Sequence, residues 1–182
     1  MLLNPASKME LAERLRAGEL TLGDAFAFMS GLYFRGKLAY SRHFAPASAI
    51  LVITPTRGLQ SPDTLVTAKL LKEFARVDVD SDDRRYRQPL DRALQHLAAQ
   101  VDLNSRVVLL GSIATGKYVD ALTAALGPRL HYPASFVGRG DMSRGGLLLR
   151  CVTANEELEY TPLITGAPRH GVRPPKLAPL GR

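Results

Sequence analysis

Apolar positions along this chain switch repeatedly between helical and strand-like spacing. Over residues 7–17, Met9, Leu11, Ala12 and Leu15 recur on one helical face, and Gly18 stops the run. Thr21 supplies an N-cap with Asp24 three residues on. It opens a second helix carrying Phe26, Phe28, Met29, Leu32, Tyr33, Phe34, Leu38 and Tyr40, in which Gly31 and Gly36 predict a break or kink. Residues 48–54 form a β-branched apolar run that ends at Pro55, the pattern of a buried strand. Helical spacing returns over 64–76 and again over 86–101, the second stretch preceded by an acidic linker at 78–83 that caps it. A second strand is predicted at 106–110, a helix from Val119 to Gly127, and a short third strand at 129–132. Residues 147–152 and 158–163 read as the two strands of a terminal hairpin.

Strands separated by helices predict a three-layer α/β domain over residues 1–165, with a small, mainly parallel sheet, flanking helices and a C-terminal β-hairpin. In such a sheet the loops leaving the carboxyl ends of the strands share one edge, and ligands bind there. Three loops fit that description: 54–63, 111–117 and 138–146.

With 46% hydrophobic and 23% charged residues among 182, the composition is that of an ordinary globular chain of one domain. No apolar run approaches the length of a membrane helix, and the start of the chain lacks the basic-then-apolar pattern of a signal peptide. A single cysteine, Cys151, excludes an internal disulfide and reads as a buried, inert thiol. The expected location is the cytoplasm. The net charge is +7, but Arg169, Arg173, Lys176 and Arg182 stand without an acid in residues 166–182, so four of those charges belong to a Pro-rich tail expected to be extended.

The candidate chemistry lies in the three loops. Gly111-Ser112-Ile113-Ala114-Thr115-Gly116-Lys117 has phosphate-loop spacing, but Tyr118 stands where a magnesium-binding Ser or Thr is needed. No apolar run ends in the aspartate that would hold the metal. The pattern therefore favours metal-independent anion binding and argues against nucleoside-triphosphate hydrolysis. Gly111, Ser112, Thr115 and Gly116 would offer backbone N–H groups and hydroxyls, and Arg57, Lys117, Arg139 and Arg144 the cations. Asp63 and Asp141 are the candidate acid–base groups, although Ser-Pro-Asp-Thr around Asp63 is equally turn chemistry. Tyr33 and Tyr118 are either pocket walls or core.

The expected ligand is a nucleoside, nucleotide or other phosphorylated small molecule, with catalysis left open and no cofactor or metal. The four histidines show no metal spacing, the aspartates at 78–83 lack the glycine and glutamate of a calcium loop, and no Gly-x-Ser-x-Gly elbow exists. The alternative is a non-catalytic nucleic-acid-binding module using the tail and residues 35–42, where Arg35, Lys37 and Arg42 cluster among aromatics.

The segments Gly31-Leu32-Tyr33-Phe34-Arg35-Gly36-Lys37-Leu38-Ala39-Tyr40, 111–118 and 136–146 resemble those of an uncharacterised bacterial protein family, a likeness that carries over no catalytic residue. Tyr33, Gly58-Leu59-Gln60-Ser61-Pro62-Asp63, Gly111 and Tyr118 also resemble positions in YaaA-like domains of unknown function. That likeness implies a connection to nucleic-acid or nucleoside chemistry.

Overall fold

Helix α1 (Glu10–Ala17) ends where the sequence predicts, at Gly18 in the left-handed conformation (φ 75°), whose N–H bonds the Arg14 and Leu15 carbonyls. The computed structural model describes residues 1–114, 116–163, 171–175 and 177. Helix α2 (Leu22–Phe44) is capped as expected by the Thr21 side chain, which accepts the Asp24 N–H at 3.2 Å. It runs 23 residues and is kinked at Gly31 (φ 67°, ψ −150°), a conformation open essentially to glycine alone.

After α2, strand β1 (Val52–Thr54) pairs antiparallel with β2 (Gly58–Gln60). The Thr54 hydroxyl closes the turn between them by donating to the Gly58 carbonyl at 2.9 Å and accepting the Arg57 N–H at 3.1 Å. Gly58 is held at φ 60° with its α-carbon against the Pro89 carbonyl and Ala93, so a side chain there has no room. Residues 64–66 are extended rather than helical and return along the start of α2, with Leu22 N–H bonding Thr64 O and Val66 N–H bonding Leu20 O. Helix α3 (Ala68–Phe74) follows with Thr67 as its cap, and α4 (Arg84–Gln100) is capped by Asp83, the last residue of the acidic linker.

Strand β3 (Val107–Val108), helix α5 (Gly116–Leu126) and strand β4 (Leu130–Pro133) form the chain's strand–helix–strand unit, with β3 parallel to β4. Helix α6 (Asp141–Ala154) and strand β5 (Tyr160–Pro162) complete the described elements, β5 lying antiparallel on the other side of β4. The chain is thus a mixed helix and strand protein with 53% helix and 10% strand, and helices carry most of its body.

Two expectations are corrected. Residues 147–152 are not a strand but the middle of α6, so there is no hairpin of 147–152 with 158–163. Arg144, Gly145, Leu148 and Cys151 form the buried stripe of that helix, a helical period hidden within a nearly continuous apolar run. The first strand does not join the others. The described strands make two small sheets, β1–β2 and β3–β4–β5, with one parallel pair. The three-residue turn at 55–57 brings β2 back along β1, which so finds its strand partner locally.

The core has three apolar clusters. One lies between α4, α5 and the β3–β4–β5 sheet around Leu90, Leu94, Ile113, Val119 and Leu130. The second gathers α1, the start of α2 and α3 around Leu15, Leu20, Leu22 and Phe74. The third lies between α2 and α6, around Tyr33, Tyr40, Phe136 and Leu148. Each fully buried leucine contributes about 1.5–3 kcal/mol of transfer free energy. The α2–α6 crossing is unusually close because glycine meets backbone on both sides. A β-carbon on Gly36 would stand 2.7 Å from the Gly145 carbonyl oxygen, and one on Gly145 would stand 2.8 Å from that of Leu32. Where the tail is described, Gly171 and Val172 are exposed, and their backbone lies along Gly138. Thr115 and residues 164–170, 176 and 178–182, including Arg169, Lys176 and Arg182, lie outside the described residues. No helix of the described chain is long and apolar enough to cross a membrane.

Candidate functional site

Two of the three glycine-rich loops meet, and they meet against the kink of α2. A cleft of about 380 Å³ is lined by Ser30, Gly31, Leu32, Tyr33, Phe34 and Lys37 from α2, Ser112 and Tyr118 from the segment between β3 and α5, and Asp141 and Met142 from the first turn of α6. The kink residue Gly31 and its neighbour Ser30 stand in the wall of this cleft.

The walls are fixed by one long-range and one local hydrogen bond. Tyr33 donates its hydroxyl to the Leu110 carbonyl at 2.8 Å, tying α2 to the end of β3. Tyr118 folds back over Gly111 and donates to the Ser112 carbonyl at 2.8 Å. Burial raises the pKa of both phenols above the ordinary tyrosine value, so they are proton-bearing walls rather than bases. Arg144 is 6% exposed and braces the site from behind. Its Nε and Nη2 both donate to the Phe136 carbonyl at 3.2 Å, Nη1 donates to Asp141 at 3.2 Å, and its guanidinium carbon lies 5.9 Å from the centre of the Tyr33 ring. With those groups engaged, Arg144 holds the loop and the aromatic wall in place, a structural task where the sequence predicts anion contact.

Lys37 is the group the sequence placed elsewhere. Its Nζ lies 4.3 Å from the Tyr33 ring centre and 5.4 Å from that of Phe34. No ion pair to it occurs among the described residues. Burial is the largest influence on it and depresses its pKa below the usual lysine value; nearby Asp141 opposes this and Arg144 adds to it. A signal was present in the sequence: Lys37 is four residues from Tyr33, on the same helical face, whereas Arg35 and Arg42 are seven apart and share another. The basic group at 35–42 is therefore split. Arg35 is exposed, Arg42 pairs with Asp63 at 2.7 Å, and Lys37 lines the cleft.

The remaining predicted residues are distributed as follows. Asp141 opens α6 and stays exposed at the cleft. Gly140 precedes it and makes no side-chain cap to the first-turn N–H groups of α6, and Asp141 is the acid in that turn. Arg139 braces its own loop, donating to the Ser135 carbonyl at 2.9 Å and Ser143 Oγ at 3.2 Å. Lys117 is exposed on α5. At Gly116 the Asp120 carboxylate lies against the start of α5. Arg57 and Asp63 do not reach the cleft: the first pairs with Glu73 at 2.8 Å, and the second with Arg42. They belong to the loop that β2 turns aside.

A shallower groove of about 640 Å³ lies along α3, lined by Thr56, Lys69, Lys72, Glu73, Arg76, Val77 and Arg85. It is larger, but its central Glu73 binds Arg57 and Thr56, and its Arg85 pairs with Asp83 at 2.6 Å. Lys69, Lys72 and Arg76 line it without an ion pair among the described residues, but it gathers none of the glycine-rich segments 111–117 and 138–146, so the smaller cleft, where those two meet, is the candidate site. No group of three or more His, Cys, Asp and Glu side chains suited to a metal occurs among the described residues. Comparisons with protein-family models, with curated proteins and with solved structures found no match to this chain.

Proposed function

We propose that the protein binds a phosphorylated small molecule, a nucleoside phosphate or a sugar phosphate, in the cleft at the α2 kink. The observation that carries this reading is the meeting of Lys37, which has no ion-pair partner among the described residues, with the uncapped first turn of α6 in one recess. A partly buried ammonium and a helix N-terminus both gain from an anion; Asp141 is the acid near both, and Lys37 makes no ion pair with it or with any other described residue. The volume, about 380 Å³, lies in the range of small-molecule sites. Tyr33 and Phe34 supply an apolar wall on which a base or sugar can rest, and Ser112 supplies a hydroxyl. Asp141, exposed at the rim, is placed for proton exchange with solvent, and its negative charge favours a ligand that presents its phosphate to Lys37 and the N–H groups and a hydroxyl to the carboxylate.

The proposal keeps anion binding in the Gly-rich loops and moves its centre from Lys117 to Lys37. The location we infer is the cytoplasm, and the resemblance to YaaA-like domains is in keeping with a nucleoside ligand. Thermal melting in the presence of a panel of nucleoside monophosphates, diphosphates and sugar phosphates is the direct test. At a ligand concentration 100 times Kd, binding to the folded state alone adds about 2.7 kcal/mol. A panel in which no phosphate raises Tm, or in which Lys37→Met retains the full shift, would remove the reading.

A further inference from the structure

The geometry points to Lys37 as a nucleophilic amine that forms a Schiff base with a phosphorylated aldehyde or ketone held in the cleft. The inference rests on the proposed phosphate site and adds to it the class of substrate and the bond that is made. Lysines near acids usually serve as charges, because an ion pair holds the ammonium form. Lys37 has no such ion pair among the described residues. Its Nζ lies against the Tyr33 and Phe34 rings, and the charged groups that face it are Asp141 and Arg144 of α6, with the phenol of Tyr118 on the α5 side. Burial weighs against the ammonium and Arg144 adds to that effect, while Asp141 acts in the opposite sense. Desolvation of a lysine in an apolar-walled pocket favours the free amine, the form that carries the nucleophilic lone pair, and of the two charges Asp141 has the larger effect, against that form.

The other parts of the cleft suit the same chemistry. Phosphate on the first-turn N–H groups of α6 fixes one end of the substrate and leaves its carbonyl to meet the amine. The lone pair of Nζ attacks the carbonyl carbon, a C–N bond forms, and the carbonyl π pair moves to oxygen, which takes up a proton. The nitrogen gives up one proton as the oxygen gains one, and the neutral carbinolamine then loses its hydroxyl and the remaining N–H hydrogen as one molecule of water, leaving C=N. Asp141, at the rim and in contact with solvent, can pass the protons that move in these steps.

The test uses the full chain and two probes. Glyceraldehyde 3-phosphate is added at neutral pH, the adduct is fixed with borohydride, and the modified lysine is identified by peptide mass mapping. Glycerol 3-phosphate, which has no carbonyl, is followed through Tm in parallel. The expected result is labelling at Lys37 severalfold above that at the exposed Lys8, Lys69, Lys72 and Lys117, together with a rise in Tm. Label confined to the exposed lysines, with Tm still raised by glycerol 3-phosphate, overturns the Schiff base and leaves the phosphate site standing. Label at Lys37 without a Tm response supports the amine and removes the phosphate site. Absence of both overturns both.

Discussion

Two adjacent glycines in α6 should respond to the same substitution with opposite sign. Gly145 faces α2, and a β-carbon there would stand 2.8 Å from Leu32 O, 2.9 Å from Leu32 C and 2.9 Å from Tyr33 Cα. These are backbone atoms of a facing helix, so no rotamer change can relieve them and the two helices must separate by several tenths of an ångström. Gly146, one position on, would meet nothing closer than the Leu177 Cδ1 at 3.7 Å, an ordinary contact. Alanine in place of glycine inside a helix gains roughly 0.8–1 kcal/mol of intrinsic propensity. Gly146→Ala should therefore stabilise by about that amount. Gly145→Ala receives the same gain but sets against it overpacking of typically about 1–3 kcal/mol, and more where backbone must move. The separation also loosens the cluster of Tyr33, Tyr40, Phe136, Leu148 and Cys151 between the helices. The net expectation is a loss of up to about 2 kcal/mol relative to wild type, and more to the extent that backbone must move. Urea unfolding followed by circular dichroism measures both variants. The midpoint should fall for Gly145→Ala and rise for Gly146→Ala with m unchanged. Should Gly145→Ala prove as stable as Gly146→Ala, the close α2–α6 crossing is wrong, and with it the placement of Lys37 relative to α6.

Three further outcomes are expected. Tyr118→Phe removes the bond to the Ser112 carbonyl and should lower unfolding free energy by about 0.5–1.5 kcal/mol, read from urea denaturation, with a weaker Tm response to any phosphate ligand. Burial raises the pKa of Tyr33 above 10.0, so its contribution to stability is fully present below that pH and is lost as pH rises through the folded value. Lys37, with its folded pKa depressed, adds the opposite slope from that value up to 10.5, so measurements above 10.5 should show stability falling with pH, and less steeply in Tyr33→Phe. Gly58→Ala, at φ 60° and against Pro89 and Ala93, should destabilise by at least about 1–3 kcal/mol in the same denaturation assay.

The parts of the fold that could be read from sequence were those decided locally. Thr21, Gly18 and Asp83 end or start helices through bonds to residues no more than four positions away, and each acts as its side chain or φ angle predicts. The strands were harder because they are two to four residues long and owe their existence to neighbours. Gly58-Leu59-Gln60 has no strand pattern of its own and becomes one by pairing with Val52-Ile53-Thr54. Residues 147–152 were misread because five of six are apolar, which hides whether the period is 2 or 3.6. Of the candidate residues, Tyr33, Ser112, Tyr118 and Asp141 line one cleft beside two of the loops. Arg57 and Asp63 do not, since the third loop was placed by a parallel sheet that β1 does not join. Lys37 was legible as a helical neighbour of Tyr33, but its charge drew it into a basic cluster that helical geometry divides.

The hydrogen bond from Tyr33 to Leu110 joins residues 77 apart in sequence, and the one between Tyr40 and Tyr160 joins residues 120 apart. The second half of α2 is thus tied to the strand end before α5 and to the strand that follows α6. Ties of such length lose much loop-closure entropy and yield their free energy only when the intervening chain is already ordered. The recess at Gly31 has no independent existence in α2 as an isolated helix or in either loop. It comes into being with the native state as a whole, so that occupancy by the proposed ligand would report complete folding, and local loosening of α6 would remove the site before the fold.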